Sequence, residues 1–127
     1  MSRSKGSRYE RQLVGIYSDE GWYAQRIQAS GSGTENELPD IIAAKEGLIH
    51  VIELKFTSKG QVYVQEEKVN GLQWLATQLG ATPFITARFK GDTTYYAFLP
   101  QDCERTSSGT HVIRESMRDS DEAFVLP

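Results

Sequence analysis

Residues 39–55 have the sequence PDIIAAKEGLIHVIELK, and this stretch decides how the chain folds. The apolar run 48–57 has turn residues on both sides and is the strongest strand in the chain. A short strand over 40–44 precedes it, and the turn 45–47 returns the chain between the two. The sequence therefore predicts two neighbouring strands that bring Asp40 beside Glu53.

The rest of the chain alternates between helical and extended patterns. Apolar residues at helical spacing predict two helices, each ended by a glycine. Apolar runs predict further strands, and a Gly/Ser-rich stretch predicts a mobile loop. The predicted elements are helices over 8–20 and 65–79, strands over 22–28, 83–89 and 93–99, a loop over 29–38, and an irregular segment over 100–127 with one short strand near 111–114. This order predicts an α/β fold, a mixed sheet with helices packed on it.

Composition places the chain among small globular proteins. Its 127 residues and 14.3 kDa predict one domain over 1–127, with a core over about 5–99 and an acidic tail over about 101–127. No stretch has the run of about 18 apolar residues that a membrane-spanning helix needs. The polar N-terminus predicts no signal peptide. The single cysteine, Cys103, fits a reducing compartment. We therefore expect a cytoplasmic protein, with a nucleoid-associated or a virus-encoded protein both compatible.

Charge is distributed unevenly along the chain. The net charge of −3 arises wholly within residues 101–127, which contain three Lys/Arg and six Asp/Glu. By contrast, residues 1–11 contain four basic side chains and one acidic one, Glu10. A basic arm of this kind suits phosphate contacts with nucleic acid, although solvated termini without a partner would have the same composition.

The candidate site lies in the stretch quoted first. Side chains alternate along a strand, so Glu53 and Lys55 project from one face, and the turn brings Asp40 beside them. Two carboxylates in apolar surroundings repel each other and lose hydration, and a divalent cation relieves both costs. Mg²⁺ prefers such oxygen ligands and can activate water against a phosphodiester, with Lys55 orienting the water or stabilising the phosphate. The pattern therefore predicts a phosphodiester-cleaving site.

Plainer interpretations accompany these residues. Glu53 and Lys55 could form an ordinary salt bridge on an exposed sheet face. Glu10 lies at the border of the buried face of the first helix, where it could be a further metal ligand or a solvated glutamate favoured by the helix dipole.

Four short motifs follow one another along the chain: Glu10-Arg11, Arg26-x-x-Ala-Ser30-Gly-Ser32, Leu38-Pro39-Asp40-Ile-Ile-Ala and Ile52-Glu53-x-Lys55. In order and spacing they resemble the archaeal-type Holliday junction resolvases (Hjc), which belong to the PD-(D/E)xK nuclease superfamily. The resemblance covers roughly residues 5–99. It implies a restriction-endonuclease-like fold, a mixed sheet flanked by helices, and a homodimer that binds four-way DNA junctions and nicks two strands symmetrically.

The resemblance also implies roles for individual residues. It implies a requirement for Mg²⁺, for which Mn²⁺ would substitute, held by Glu10, Asp40 and Glu53, with Lys55 as the catalytic lysine. It matches Ser30 to a functional serine, and Arg11 and Arg26 to basic residues near the scissile phosphate. Phosphate contacts that fix position without reading sequence suit the remaining basic and hydroxyl side chains. The predicted DNA-binding set is Arg3, Lys5, Arg8, Arg11, Arg26, Ser30, Ser32 and Lys59.

The residues predict a metal-dependent phosphodiester-cleaving site, and the resemblance implies a Mg²⁺-dependent crossover junction endodeoxyribonuclease that resolves Holliday junctions in DNA recombination and repair. Two alternatives stay open at this point. One is another PD-(D/E)xK nuclease of the repair or restriction type, and the other is a catalytically inert DNA-binding relative. The acidic stretch from Glu115 to Glu122 departs from the basic character expected at the C-terminus.

Overall fold

The computed structural model describes residues 2–28 and 38–127, with the backbone alone for residues 2–5. The predicted loop 29–38, including Ser30 and Ser32, lies almost wholly outside the described residues. The helices are α1 (Ser2–Asp19) and α2 (Glu66–Leu79), and two short 3₁₀ turns, Pro100–Asp102 and Glu115–Asp119, follow later in the chain. The strands are β1 (Tyr23–Arg26), β2 (Ile41–Lys45), β3 (Leu48–Thr57), β4 (Gln61–Val64), β5 (Thr82–Phe89), β6 (Tyr96–Phe98), β7 (Glu104–Arg105), β8 (His111–Arg114) and β9 (Phe124–Val125).

A six-stranded mixed sheet forms the centre of the fold, in the order β1-β2-β3-β5-β6-β9. Strand β3 pairs antiparallel with β2 and parallel with β5. A parallel pair needs a crossover connection, and α2 supplies it between β3 and β5. The tight turn between β2 and β3 has Glu46 and Gly47 in the left-handed region, at φ 51° and 89°. The predicted mixed α/β fold is therefore confirmed.

The alternation of side chains along β3 divides the core in two. Ile52 and Leu54 are buried with Leu13 and Tyr17 of α1. Val51 belongs to the second cluster, with the buried apolar residues of α2. Because Glu53 and Lys55 have the parity of Val51, they project from the face that α2 covers. The charged pair Glu53 and Lys55 thus belongs to a strand whose central residues, 51–54, are buried.

The segment after residue 100, predicted to be irregular, is part of the packed structure. Strands β8 and β7 form a second, three-stranded sheet with β4, and β9 adds an edge to the main sheet. His111 in this segment is buried, with 6% of its surface exposed. The pairing of β8 with β4 explains the difference, because it places this part of the chain against the core beneath α2.

Helix α1 and strand β4 also differ from the prediction. Helix α1 begins at Ser2 rather than near residue 8, although its buried residues are those with helical spacing. Strand β4 was not predicted, because Ser58, Lys59 and Gly60 have the composition of a break. Within residues 2–28 and 38–127, no helix is long and apolar enough to cross a membrane.

Candidate active site

The β2–β3 hairpin fixes Asp40 opposite Glu53. The backbone N–H of Asp40 donates to the carbonyl of Ile52 at 2.8 Å, and its carbonyl accepts from the N–H of Ile27 at 2.9 Å. Its side chain is held too, because the Leu54 N–H donates to Asp40 Oδ2 at 2.8 Å. The position of this carboxylate is therefore set by the sheet itself, as the sequence spacing predicts.

Glu53 is a buried carboxylate between two ammonium groups. It is 4% exposed, although it belongs to a residue type that is rarely buried without a partner. Lys55 Nζ lies 3.9 Å from Glu53 Oε2, and Lys68 Nζ lies 3.9 Å from Glu53 Oε1. Lys55 comes from the same strand, whereas Lys68 comes from the first turn of α2. The simple exposed salt bridge considered from the sequence does not describe this arrangement, because its acidic partner is buried.

Burial and mutual repulsion govern the charges of the carboxylates. Burial raises the pKa of Glu53 to about 7, and the charge of Asp40 adds to the increase. Burial also raises the pKa of Asp40, while the Leu54 hydrogen bond and then the Lys68 charge oppose the increase. The pair is thus costly to ionise fully, and a cation placed between the two carboxylates would lower that cost.

Glu10 reaches the same region from α1 and is paired there with an arginine. Arg26 Nε donates to Glu10 Oε1 at 3.1 Å, and Arg26 Nη2 donates to Ser7 Oγ at 3.1 Å. Burial raises the pKa of Glu10, and the charge of Asp40 contributes next. Glu10 is therefore not the fully solvated helix-start glutamate of the plainer interpretation. Arg26 links β1 to α1 beside the carboxylates.

The carboxylates of the site suit a divalent cation that keeps part of its water shell. Among the residues described, no three acidic, His or Cys side chains are close enough together to form a complete ligand set. Asp40 and Glu53 form the inner pair, and the Glu10 carboxylate is directed to Arg26. This arrangement fits Mg²⁺, which is usually bound by one or two protein carboxylates and keeps several waters.

Comparisons with known proteins identify the family. The family model described as archaeal Holliday junction resolvase (Hjc) matches residues 1–124. The chain belongs to this resolvase family. The predicted family and enzyme class are thus confirmed.

Individual relatives agree with the family model. The chain is 35% identical over 112 residues to the crossover junction endodeoxyribonuclease Hjc of Sulfolobus acidocaldarius, covering 87% of this chain and 77% of that protein. It is 37% identical over 106 residues to the crossover junction endodeoxyribonuclease Hje of Saccharolobus islandicus, covering 82% and 78%. A crossover junction endodeoxyribonuclease of Sulfolobus islandicus rod-shaped virus 1 is 40% identical over 70 residues, covering 55% and 57%.

A solved resolvase structure confirms the predicted restriction-endonuclease-like fold class. The structure of Archaeoglobus fulgidus Hjc, a Holliday junction resolvase from an archaeal hyperthermophile, matches with a TM-score of 0.78 and 26% identity. The match covers 87% of this chain and 88% of that chain.

Not every residue of the predicted resolvase site can be placed. Arg8, Arg11 and Lys59 are exposed, as phosphate contacts require. Ser30, Ser32 and the side chains of Arg3 and Lys5 lie outside the described part of the chain. The roles of all these residues stay predictions.

Sequence reasoning about the resolvase site missed Lys68. The PD…ExK spacing contains only one lysine, and a polar residue in the first turn of an amphipathic helix is ordinarily solvated. The one signal was its position, directly before the buried Val69 and hence at the border of the buried face of α2.

Proposed function

We propose that this protein is a Mg²⁺-dependent endonuclease that resolves four-way DNA junctions in recombination and repair. The observation that supports it most strongly is the carboxylate pair of buried Glu53 and half-buried Asp40, flanked by lysines, in a chain of the resolvase family. Two carboxylates placed together and largely withdrawn from water are expensive for a scaffold without chemistry. It argues against the inert DNA-binding alternative.

Asp40 and Glu53 would hold the cation, Mg²⁺ or Mn²⁺, and Glu10 would supply a further oxygen directly or through water. A bound Mg²⁺ lowers the pKa of a coordinated water and offsets charge on the phosphodiester. The Lys55 side chain is 42% exposed, so its ammonium can reach a phosphate or the attacking water as well as Glu53. In hydrolysis a water oxygen would bond to phosphorus as the water loses a proton to solvent, one P–O bond to a sugar oxygen would break, and that leaving oxygen would take a proton from solvent.

The exposed basic residues would position the junction. Arg8, Arg11 and Lys59 are directed to solvent and can pair with phosphates without reading base sequence. Arg88 differs from these, because its guanidinium lies over the rings of Tyr9 and Tyr95, 4.8 and 5.4 Å from their centroids. Its packed position suits a support for α1 better than a mobile phosphate contact.

A homodimer would provide two sites for paired symmetric nicks. A two-fold enzyme suits a junction with approximate two-fold symmetry. Support comes from two large apolar side chains of α2 that are exposed, Trp74 at 49% and Leu79 at 41%. Sedimentation velocity of the wild-type protein and of Trp74→Glu tests this. We expect the wild-type protein to be a dimer and the glutamate of Trp74→Glu to weaken that dimer. A monomeric wild-type protein would contradict the proposal.

Strand cleavage of matched DNA substrates tests the proposed function. A four-way junction, a flap and a linear duplex of the same sequence are incubated with the protein in Mg²⁺ or in EDTA. We expect cleavage of the junction in two opposed strands when Mg²⁺ is present, and no cleavage in EDTA. Preferential cutting of the flap or the linear duplex would favour the repair or restriction-type alternative. The cytoplasmic location stays a prediction from the sequence.

A further inference from the structure

Lys68 approaches the proposed metal site from a different element than the other residues do. It is the third residue of α2, and its side chain is 36% exposed. Its Nζ lies 3.9 Å from Glu53 Oε1, while Lys55 Nζ lies 3.9 Å from Oε2 of the same carboxylate. Each oxygen of Glu53 therefore has its own ammonium neighbour.

These ammonium groups lie beside the carboxylate that would bind the cation. Without a metal, a positive charge beside Glu53 offsets the repulsion that Asp40 exerts on it. When a dication binds, the carboxylates are neutralised, and the attraction of each ammonium for them is largely lost. A dication and an ammonium also repel each other across a shared oxygen. Lys68 must therefore stabilise the metal-free site relative to the metal-bound site.

We propose that Lys68 is a positioning residue of the active site, which holds the Glu53 carboxylate in the metal-free enzyme and releases it when a divalent cation binds. This inference rests on the proposed function, because it requires that Asp40 and Glu53 bind the metal. Lys68 is suited to the exchange because its flexible side chain comes from α2, and not from the strand β3 that carries Glu53. Its partly exposed position lets the ammonium withdraw into water.

Mn²⁺ binding without DNA tests the proposal, measured from the electron paramagnetic resonance signal of free Mn²⁺ at a fixed, mildly alkaline pH. The proteins are wild type, Lys68→Gln, Lys68→Arg and the control Lys45→Gln. Lys45 is at the turn end of β2, five residues from Asp40, or about 16 Å along an extended strand. Its substitution removes the same charge far from the site.

We expect Lys68→Gln to bind Mn²⁺ about two- to fivefold more tightly than wild type, the range for a partly exposed ion pair. Lys68→Arg and Lys45→Gln should stay close to wild type. Thermal unfolding gives a second measurement, because Mn²⁺ should raise the melting temperature of Lys68→Gln more than that of wild type. Equal or weaker Mn²⁺ binding by a folded Lys68→Gln protein would overturn the proposal.

A measurement on the wild-type chain does not depend on the folding of any variant. The nuclear magnetic resonance signal of the Lys68 ε-carbon should shift on titration with Mg²⁺, while that of Lys45 should not. An unchanged Lys68 signal at saturating Mg²⁺ would overturn the proposal by itself.

Cleavage of a four-way junction is assayed in parallel to separate the two levels of the argument. If the wild-type protein neither binds Mn²⁺ nor cuts the junction, the proposed function is contradicted and the role of Lys68 with it. If wild type binds Mn²⁺ and cuts, but Lys68→Gln has unchanged affinity, only the role of Lys68 is wrong.

Discussion

Replacement of Glu53 by glutamine should stabilise the metal-free protein at alkaline pH. Burial, and then the charge of Asp40, raise the pKa of Glu53 from 4.5 to about 7. The folded protein therefore holds this proton more tightly than the unfolded chain does. The resulting stabilisation is fully present below pH 4.5 and is lost as the pH rises through 7.

The size of the effect follows from the same pKa change. Moving a carboxyl pKa from 4.5 to about 7 corresponds to about 3 kcal/mol of unfolding free energy. Glutamine has nearly the shape of the neutral acid and keeps that form at every pH. Glu53→Gln should therefore unfold with nearly the wild-type free energy in acid, and with about 3 kcal/mol more than wild type well above pH 7.

Urea unfolding in EDTA, at a series of pH values, measures this difference. The exposed Glu122 provides a matched control, because Glu122→Gln should change the unfolding free energy little at any pH. The reasoning is refuted if Glu53→Gln is less stable than wild type in alkali, or if its advantage does not grow with pH. A stabilised protein that no longer cuts DNA would show that the wild-type chain gives up stability for its site.

Three further outcomes follow from the site geometry. The cleavage rate should rise with pH toward about 7, the pKa of Glu53. In single-turnover assays the midpoint pH of this rise should fall as the Mg²⁺ concentration is increased, because metal and proton compete for the Glu53 carboxylate. A midpoint pH independent of Mg²⁺ would argue against Glu53 as a ligand. Arg26→Gln removes the partner of Glu10, so chemical denaturation should show an unfolding free energy lower by about 1 kcal/mol, and the cleavage rate should fall more than the affinity for the junction does. An unchanged cleavage rate would exclude a role for this pair. Lys59→Ala should weaken junction binding, reduce the slope of log binding constant against log salt concentration by about 1, and leave the maximal cleavage rate unchanged. An unaltered slope in binding titrations would show that Lys59 does not contact a phosphate.

The parts of the fold that depend on local pattern could be predicted from the sequence. Strand β3 has the predicted bounds, Leu48–Thr57, because its apolar run ends in turn residues on both sides. The placement of Asp40 beside Glu53 follows from strand alternation and one tight turn. These features need no knowledge of distant residues.

The parts that depend on distant partners could not be predicted. Strand β4 has four residues, and its partner β8 lies some fifty residues later in the chain, so β4 was missed, and the short strand predicted near 111–114 gave no sign of its pairing with β4. His111 follows a polar stretch of the sequence, yet it is buried, because β8 pairs with the distant strand β4. Lys68 joins the site only because α2 crosses the face of the sheet that bears Glu53. The Glu10–Arg26 pair likewise depends on how α1 packs against β1.

Single-turnover cleavage of a four-way junction by wild type and by Asp40→Asn tests the central claim, that the paired carboxylates perform the chemistry. Asparagine keeps an oxygen that can accept the Leu54 hydrogen bond, so the variant should fold and bind the junction with nearly wild-type affinity. Asp121→Asn, at an exposed turn, is the control and should cut like wild type. We expect cutting by wild type in Mg²⁺, and none by Asp40→Asn in Mg²⁺ or by wild type in EDTA. Undiminished cutting by Asp40→Asn would contradict the account.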